Sequence, residues 1–492
     1  MGGRARCVMQ VARDARTSRL GVFAFLWACQ ALVHHEFYSD WLRENDPRGW
    51  LVAALSTAVL VRPGSLPLFV AMLAASVAYN LAKWPFVVNH ILVESLIDVT
   101  ILAGIGWTLL RDRAAPALPS REQRERLFDS FAPVLRGMLI AMYYFAILAK
   151  LNQGFLDPGT SCVAAMYGDL QRRLPFVPTE PWAKAASIWA TLAIELAIPI
   201  CFTFRRTRPL AILVGLPFHF MLGAIGHRTF SALALSMYSL FVTGQLASLV
   251  DDARAWLAAR LPEAALGRAL RAAGVAAALG IAALIALEKA GLGQAGFGPF
   301  RVFRVAWVTW GLWYLAVMAA CFAALARVWL GRGPGLEPAG ARVAPPLLLY
   351  AMVGVVIANG MSQYLGLKTE NAFTMYSNLR TEGGRNNHLF MPAWRLAGYQ
   401  DDLVEVIETD HPALRTYADH HQRITWFELR RLASETPLDF SLSYVRDGEP
   451  HRFTKRNGLG DDPALSRRHP FLAAKLLSFR PVDGSDDVAC KH

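Results

Sequence analysis

Three ionisable residues recur at intervals of four in one apolar stretch: His90, Glu94 and Asp98. Helical geometry stacks such residues on a single face. A second set, Arg136, Tyr143 and Lys150, is spaced by seven and again shares a face. Glu195 and His219 each stand in further apolar stretches. An ionisable group among apolar neighbours is costly, and such groups usually face a cavity or a partner. Proton transfer, ligand binding and transport all use residues of this kind. Each also has a plainer role. A lysine at the end of a membrane helix commonly snorkels to the headgroups. A lone histidine more often bonds one helix to another. Glu94 and Asp98 can hold helices together as neutral, hydrogen-bonded acids. His34 and His35 precede acidic residues and read as interfacial. A stripe of three is harder to set aside, because each member is costly by itself.

The elements that must position these residues are membrane helices. Of 492 residues, 54% are hydrophobic and 18% charged, against about 45–50% and about 25% in a soluble globular chain. The excess lies in 20–361, whereas 362–492 reads as ordinary soluble sequence. This excludes a plain cytosolic enzyme, a disordered chain and a disulfide-stapled mini-protein. A spanning helix needs about 20 apolar residues. Candidates run over 20–36, 50–62, 64–83, 88–110, 131–149, 182–203, 208–226, 229–248, 268–289, 303–329 and 343–361. The second is short and can form a hairpin with the third. The expected fold is mainly α: a polytopic transmembrane helical bundle of about nine to eleven spans, followed by a small β-rich C-terminal domain.

Charge sets the orientation. The net charge is +12, yet the tail 362–492 holds 17 Lys and Arg against 18 Asp and Glu, leaving 33 against 20 for the rest. The basic residues gather in 1–19, 111–127, 204–208, 254–271 and 327–342. With eleven spans and the N-terminus inside, all five segments fall on the cytoplasmic side, as the positive-inside rule requires. Nucleic acid is therefore set aside as a partner, and the lipid bilayer takes its place. The loops 36–49, 151–181 and 290–302 fall outside, with the tail. The expectation is a multi-pass protein of a cell or inner membrane, with a basic cytoplasmic segment 1–19 and an extracytoplasmic domain 362–492. That segment carries Arg4, Arg6, Arg13, Arg16 and Arg19 and could open a signal peptide. No convincing small-residue cleavage site follows, so the first helix is expected to be retained.

In the tail, DDLVEVIETD alternates as a strand does, and RITWFELRRL is read as continuing it. Asp447-Gly448 between two alternating runs signals a hairpin. A short helix is expected over 463–476. The six cysteines form no CxxC pair or zinc knuckle, and no metal site is expected. Cys162 and Cys490 would share a side, which leaves a bridge between them open.

Four segments carry a family resemblance. YYFAILAKLNQGFLDP (Tyr143 to Pro158) resembles a segment of the vitamin K-dependent γ-carboxylases and their wider relatives, the HTTM (horizontally transferred transmembrane) family. PFHFMLGAIGHRTFSALALSMYSLF (Pro217 to Phe241) is similar to a second, VVNHILVE (Val87 to Glu94) to a third, and NAFTMYSNLRTEGGRNNHLF (Asn371 to Phe390) to the aromatic start of the family's lumenal domain. The match runs in order over roughly 20–410. The Lys-Leu-Asn and Phe-His segments are its more specific parts. It departs from the vertebrate pattern at Ala149-Lys150, where that pattern has Lys-Lys. No counterpart of the propeptide- and glutamate-binding segments is identified, and the tail is short for a full carboxylase.

The resemblance implies a role for each matching residue. Lys150 falls at the catalytic base and His90 at a histidine that assists quinol deprotonation. His219 matches the Phe-His histidine and would line the quinone cavity. Tyr143, Asn152, Glu94, Asp98, Arg385 and His388 are further candidates for its lining. The reactants implied are a reduced quinone of the vitamin K type, dioxygen and carbon dioxide. The product implied is the epoxide, and the coupled step implied is carboxylation of Glu in a protein or peptide partner. General chemistry suits this assignment, because burial favours the neutral amine and a neutral amine can take a quinol proton.

Two readings from other classes stand beside it. One is a non-catalytic HTTM membrane protein that binds or transports a lipid or small molecule, with His90, Glu94 and Asp98 as its path; the chain has no visible internal symmetry of the transporter kind. The other is a partner protein that binds through its external domain. In the latter region NLRTEGGRNNHLF is either a linker or a lid, with Arg380, Arg385, Asn386 and His388 folded over an outer cavity.

Overall fold

The computed structural model describes residues 17–37, 45–113, 119–296, 301–332, 344–483 and 490. Arg4, Arg6, Arg13 and Arg16, and parts of the loops expected over 36–49, 111–127, 290–302 and 327–342, lie outside the described residues. The chain divides into two compact units. The first takes Met1–Ala82, Val93–Ile140 and Ala197–Val353; the second takes Lys83–Leu92, Ala141–Leu196 and Gly354–His492.

The helical part runs through α1 (Arg19–Phe37), α2 (Pro47–Val61), α3 (Leu66–Lys83), α4 (Asn89–Asp112), α5 (Arg121–Lys150), a turn α6 (Gln153–Leu156), α7 (Cys162–Arg173), α8 (Pro181–Thr203), α9 (Arg208–Ile225), α10 (Arg228–Ser239), α11 (Thr243–Ala258), α12 (Glu263–Leu287), α13 (Val302–Trp329) and α14 (Ala351–Met361). Among the described residues, seven stretches are long and apolar enough to cross a membrane: α3, α4, α5, α8, α9, Gly267–Leu292 and α13. The eleven expected positions all carry helix, but fewer of them qualify as spans. α2 and Leu347–Met361 are short, and α1 is not among the seven. The polar residues Gln30, His34 and His35 at the end of α1 dilute its apolar run.

The span expected over 229–248 is instead the pair α10 and α11, bent by 86°. A break in a helix frees carbonyls that need donors. Arg136 supplies them: its guanidinium donates to Leu240 O, with Nε at 3.1 Å, and lies over the Phe241 ring. Arg136 is thus engaged at this break.

The polar stripe of α4 also finds partners within the first unit. Trp27 Nε1 donates to Asp98 Oδ1 at 2.8 Å, and His34 Nδ1 lies 2.8 Å from Glu94 Oε2. Both contacts tie α1 to α4. His34 and His35, expected at an interface, are buried. Their position follows from the cost of leaving Glu94 unpaired in an apolar core.

In the second unit the tail forms the strands β1 (Leu403–Thr409), β2 (Gln422–Thr425), β3 (Phe440–Arg446), β4 (Glu449–Arg456), β5 (Leu459–Gly460) and β6 (Val482–Asp483). They make one antiparallel sheet in the order β5-β4-β3-β1-β2-β6. Asp447 and Gly448 both have positive φ and close the β3–β4 hairpin, with Arg446 opposite Glu449, as a type I′ turn requires. RITWFELRRL is strand only as far as Thr425. There the Thr425 hydroxyl accepts Glu428 N at 3.2 Å and starts a helix, Trp426–Glu435. The S/T-x-x-E capping signal outweighs the strand pattern. The helix expected over 463–476 is two short ones, Pro463–Ser466 and Phe471–Leu476, with Pro470 between them. Cys162 and Cys490 are joined as a disulfide.

Candidate functional site

Lys150 ends α5, and its side chain is buried rather than extended to a membrane surface. Its Nζ lies 2.9 Å from Glu195 Oε2 on α8 and donates a long bond of 3.4 Å to Ala146 O. A cation at a helix C-terminus also meets the negative end of the helix dipole. Glu195 Oε2 is buried and accepts no aligned hydrogen bond. At this distance the two groups form a close ion pair.

The chain beyond Lys150 is sewn to the segment 371–391. Asn152 uses its whole amide. Its Nδ2 donates to Ala149 O at 2.7 Å and Ser377 O at 2.5 Å, and its Oδ1 accepts Phe155 N at 2.9 Å. Asn378 accepts Cys162 N and donates to Thr160 O, each at 2.8 Å. Asn387 accepts Arg380 N at 2.8 Å and donates to Asn378 O at 2.9 Å. Backbone bonds Gln153 N to Asn387 O and Leu389 N to Leu151 O complete the seam.

His388 sits in this seam. Its Nδ1 accepts from Phe390 N at 3.2 Å and Met391 N at 2.9 Å. Nε2 must then carry the proton and donate to Leu148 O at 2.8 Å. That fixes the neutral ring and its tautomer. Burial holds the imidazole below its ordinary range, against the bond to Leu148, which works the other way.

The start of α4 meets the same segment. Asn89 Oδ1 accepts Phe373 N at 2.7 Å, and Asn371 Nδ2 donates to Pro85 O at 3.2 Å. Asn371, Phe373, Tyr376 and Asn378 all have positive φ. Such backbone is costly for residues other than glycine, and persists where surrounding contacts over-determine it. The asparagine contacts supply that restraint here.

Of the residues singled out from sequence, the second unit gathers His90, Tyr143, Lys150, Asn152, Arg385 and His388. Tyr143 is buried, His90 half-buried and Arg385 exposed. Of the lid residues, His388 lies on the α5 end, while Arg385 and Asn386 face outward. Glu94, Asp98 and His219 belong to the first unit. His219, expected to line a cavity, is packed edge-on against Phe218, Phe230 and Tyr238.

One group was read without its partner, and another escaped the sequence reading. Glu195 was visible only as an isolated acid in a span, without its partner. Lys368 lies seven residues beyond the end of α14. Its buried amine donates to Asn359 Oδ1 at 2.9 Å, and burial brings it down to about 8. Lys368 is held by a neutral amide, whereas Lys150 faces a carboxylate.

Comparison of the chain with protein-family models, curated proteins and solved structures finds no match.

Proposed function

We propose that this chain is a multi-pass membrane enzyme of the γ-carboxylase and HTTM kind, and that it deprotonates and oxidises a reduced quinone at the Lys150–Glu195 pair. The observation that carries the reading is the buried ion pair itself, with Glu195 Oε2 2.9 Å from the Lys150 nitrogen at the end of α5. A carboxylate oxygen has more than one lone pair, so a phenolic hydroxyl can bond to Oε2 beside the lysine. Its proton passes to Oε2, so that an O–H bond breaks on the substrate and one forms on Glu195. The Lys150 ammonium faces the oxygen that becomes negative, which is the electrostatic help such a step needs. Glu195 thus takes the base role that the resemblance gives to Lys150, and Lys150 supplies the positive charge beside the new oxyanion. His90 opens α4 beside the Asn89 contact to Phe373, and serves as a second donor to the same oxygen.

Dioxygen is the oxidant: the quinol loses two hydrogens, one oxygen atom is kept in the epoxide and the other leaves as water. Coupling to carbon dioxide and a protein Glu rests on the resemblance. In this reading the N-terminus is cytoplasmic and 362–492 extracytoplasmic. The disulfide agrees, since such bonds persist in oxidising compartments.

The test uses purified protein, reduced vitamin K and dioxygen, with epoxide followed by chromatography. Wild type forms epoxide above background; Lys150→Ala and Glu195→Gln do not. Equal background turnover in all three overturns the proposal.

One observation favours a non-catalytic lipid binder instead. In the first unit a cleft of about 100 Å³ is lined by Leu32, Ile285, Trp310 and Trp313 among other apolar residues. Retention of a native lipid through purification, with no quinol turnover, is the outcome that reading expects.

A further inference from the structure

The last short helix of the tail, Phe471–Leu476, hides none of its side chains fully. Phe471, Leu472 and Leu476 are 73%, 68% and 54% exposed. Apolar side chains so exposed in one turn of a folded domain call for a cover. The helix is not free to face water on every side, because of where it is tied. Lys475 Nζ donates to Trp84 O at 2.7 Å. Trp84 follows α3 directly, and Asn89 begins α4. Both helices are long and apolar enough to span. A loop of five residues between two successive spans lies at a membrane surface. The helix tied to that loop therefore lies there too. Phe86 of the same loop is exposed and sits beneath the Arg431 guanidinium.

A second tie gives the same level independently. Trp394 N donates to Tyr364 O and Leu396 N to Leu365 O, each at 2.8 Å. Tyr364 and Leu365 come just after the apolar helix Leu347–Met361. Trp394 and Leu396 are again exposed. The charges beside the helix have the matching sign. Arg467 and Arg468 precede it and are exposed, and Arg430 binds their carbonyl groups.

We infer that Phe471–Leu476, with Phe86, Trp394 and Leu396, seats the C-terminal domain on the bilayer. Phe471, Leu472 and Leu476 enter the boundary between headgroups and acyl chains, and Arg467 and Arg468 meet lipid phosphates. This is the behaviour of an interfacial helix with aromatic and basic flanks. The inference rests on the multi-pass reading and is independent of any quinol chemistry.

Site-directed spin labelling of the full chain tests it. Leu472→Cys and Leu476→Cys are labelled in a background with Cys7, Cys29, Cys201 and Cys321 replaced by alanine, in phosphatidylcholine vesicles with and without phosphatidylglycerol. Two reference sites are labelled separately. Arg452→Cys lies on the exposed face of β4, and Leu312→Cys is an exposed position on α13. Collisions with oxygen are compared with collisions with a water-soluble nickel chelate. The expected oxygen-to-nickel ratio at 472 and 476 is severalfold above that at 452 and approaches that at 312. A ratio at 472 equal to that at 452, with 312 still reading as lipid, overturns the seat alone. Protection of 472 from both reagents marks a protein partner or second copy and overturns it as well. If 312 also reads as water, the membrane reading fails and the seat with it.

Discussion

The Nε2–H of His388 donates to Leu148 O at 2.8 Å, and this bond closes the C-terminal turn of the helix that ends in Lys150. Both ring nitrogens are taken by backbone, so His388 holds the site in shape and has no nitrogen left for proton transfer. A cation there would place an N–H against Phe390 N and Met391 N.

The pH dependence follows in sign. The imidazole is held below its ordinary value of 6.5 in the folded chain. The unfolded chain therefore binds the proton first as pH falls through that value. Stability from this group is complete above about 6.5 and declines below it. Thermal unfolding of wild type and His388→Gln at pH 7.5 and pH 5.5 is the measurement. The expected acid-induced loss is larger in wild type; an equal loss in both removes His388 as its source.

Breaking the Lys150–Glu195 pair by one partner leaves an uncompensated buried charge. Lys150→Met or Glu195→Leu alone is expected to cost about 3–5 kcal/mol. The double variant regains most of that stability while remaining inactive toward quinol. Denaturant or thermal unfolding in detergent reads the cycle; additive costs in the double variant would show that the two charges do not interact.

A side chain at Gly360 has no room. A Cβ there would come within 2.2 Å of the Phe145 ring. Gly360→Ala forces α14 from α5 and is expected to cost about 1–3 kcal/mol. A melting temperature equal to that of wild type would mean that the two helices do not pack this closely.

Cys490→Ser releases the tail from the start of α7. The expected loss is about 2–4 kcal/mol, matched by reductant acting on wild type and absent when reductant is added to the variant. Identical melting of oxidised and reduced wild type would rule out a structural role for the bond.

How much of this was legible depends on whether the signal was local. Helix positions such as 181–203 and 208–225 were readable because an apolar run of fixed length has few other solutions. Asp447-Gly448 was readable because positive φ at both turn positions suits few residues. The bend between α10 and α11 was not, since its stabilising donor, Arg136, lies far off in sequence. The pairing of Lys150 with Glu195 was hidden for a similar reason: spacing gives the depth of a residue in a helix, not which neighbouring helix it faces. Glu94 and Asp98 were correctly seen as costly, but whether they serve chemistry or cohesion turned on His34 and Trp27. RITWFELRRL misled because β-branched and aromatic residues sit where a capping threonine begins a helix.

The link between Cys162 and Cys490 also constrains counting. Two residues covalently joined cannot stand on opposite sides of a bilayer, so the chain between them crosses it an even number of times. Four of the seven long apolar stretches fall in that interval. If all four cross, the bent pair α10–α11 and the short stretch Leu347–Met361 either both traverse the membrane or neither does.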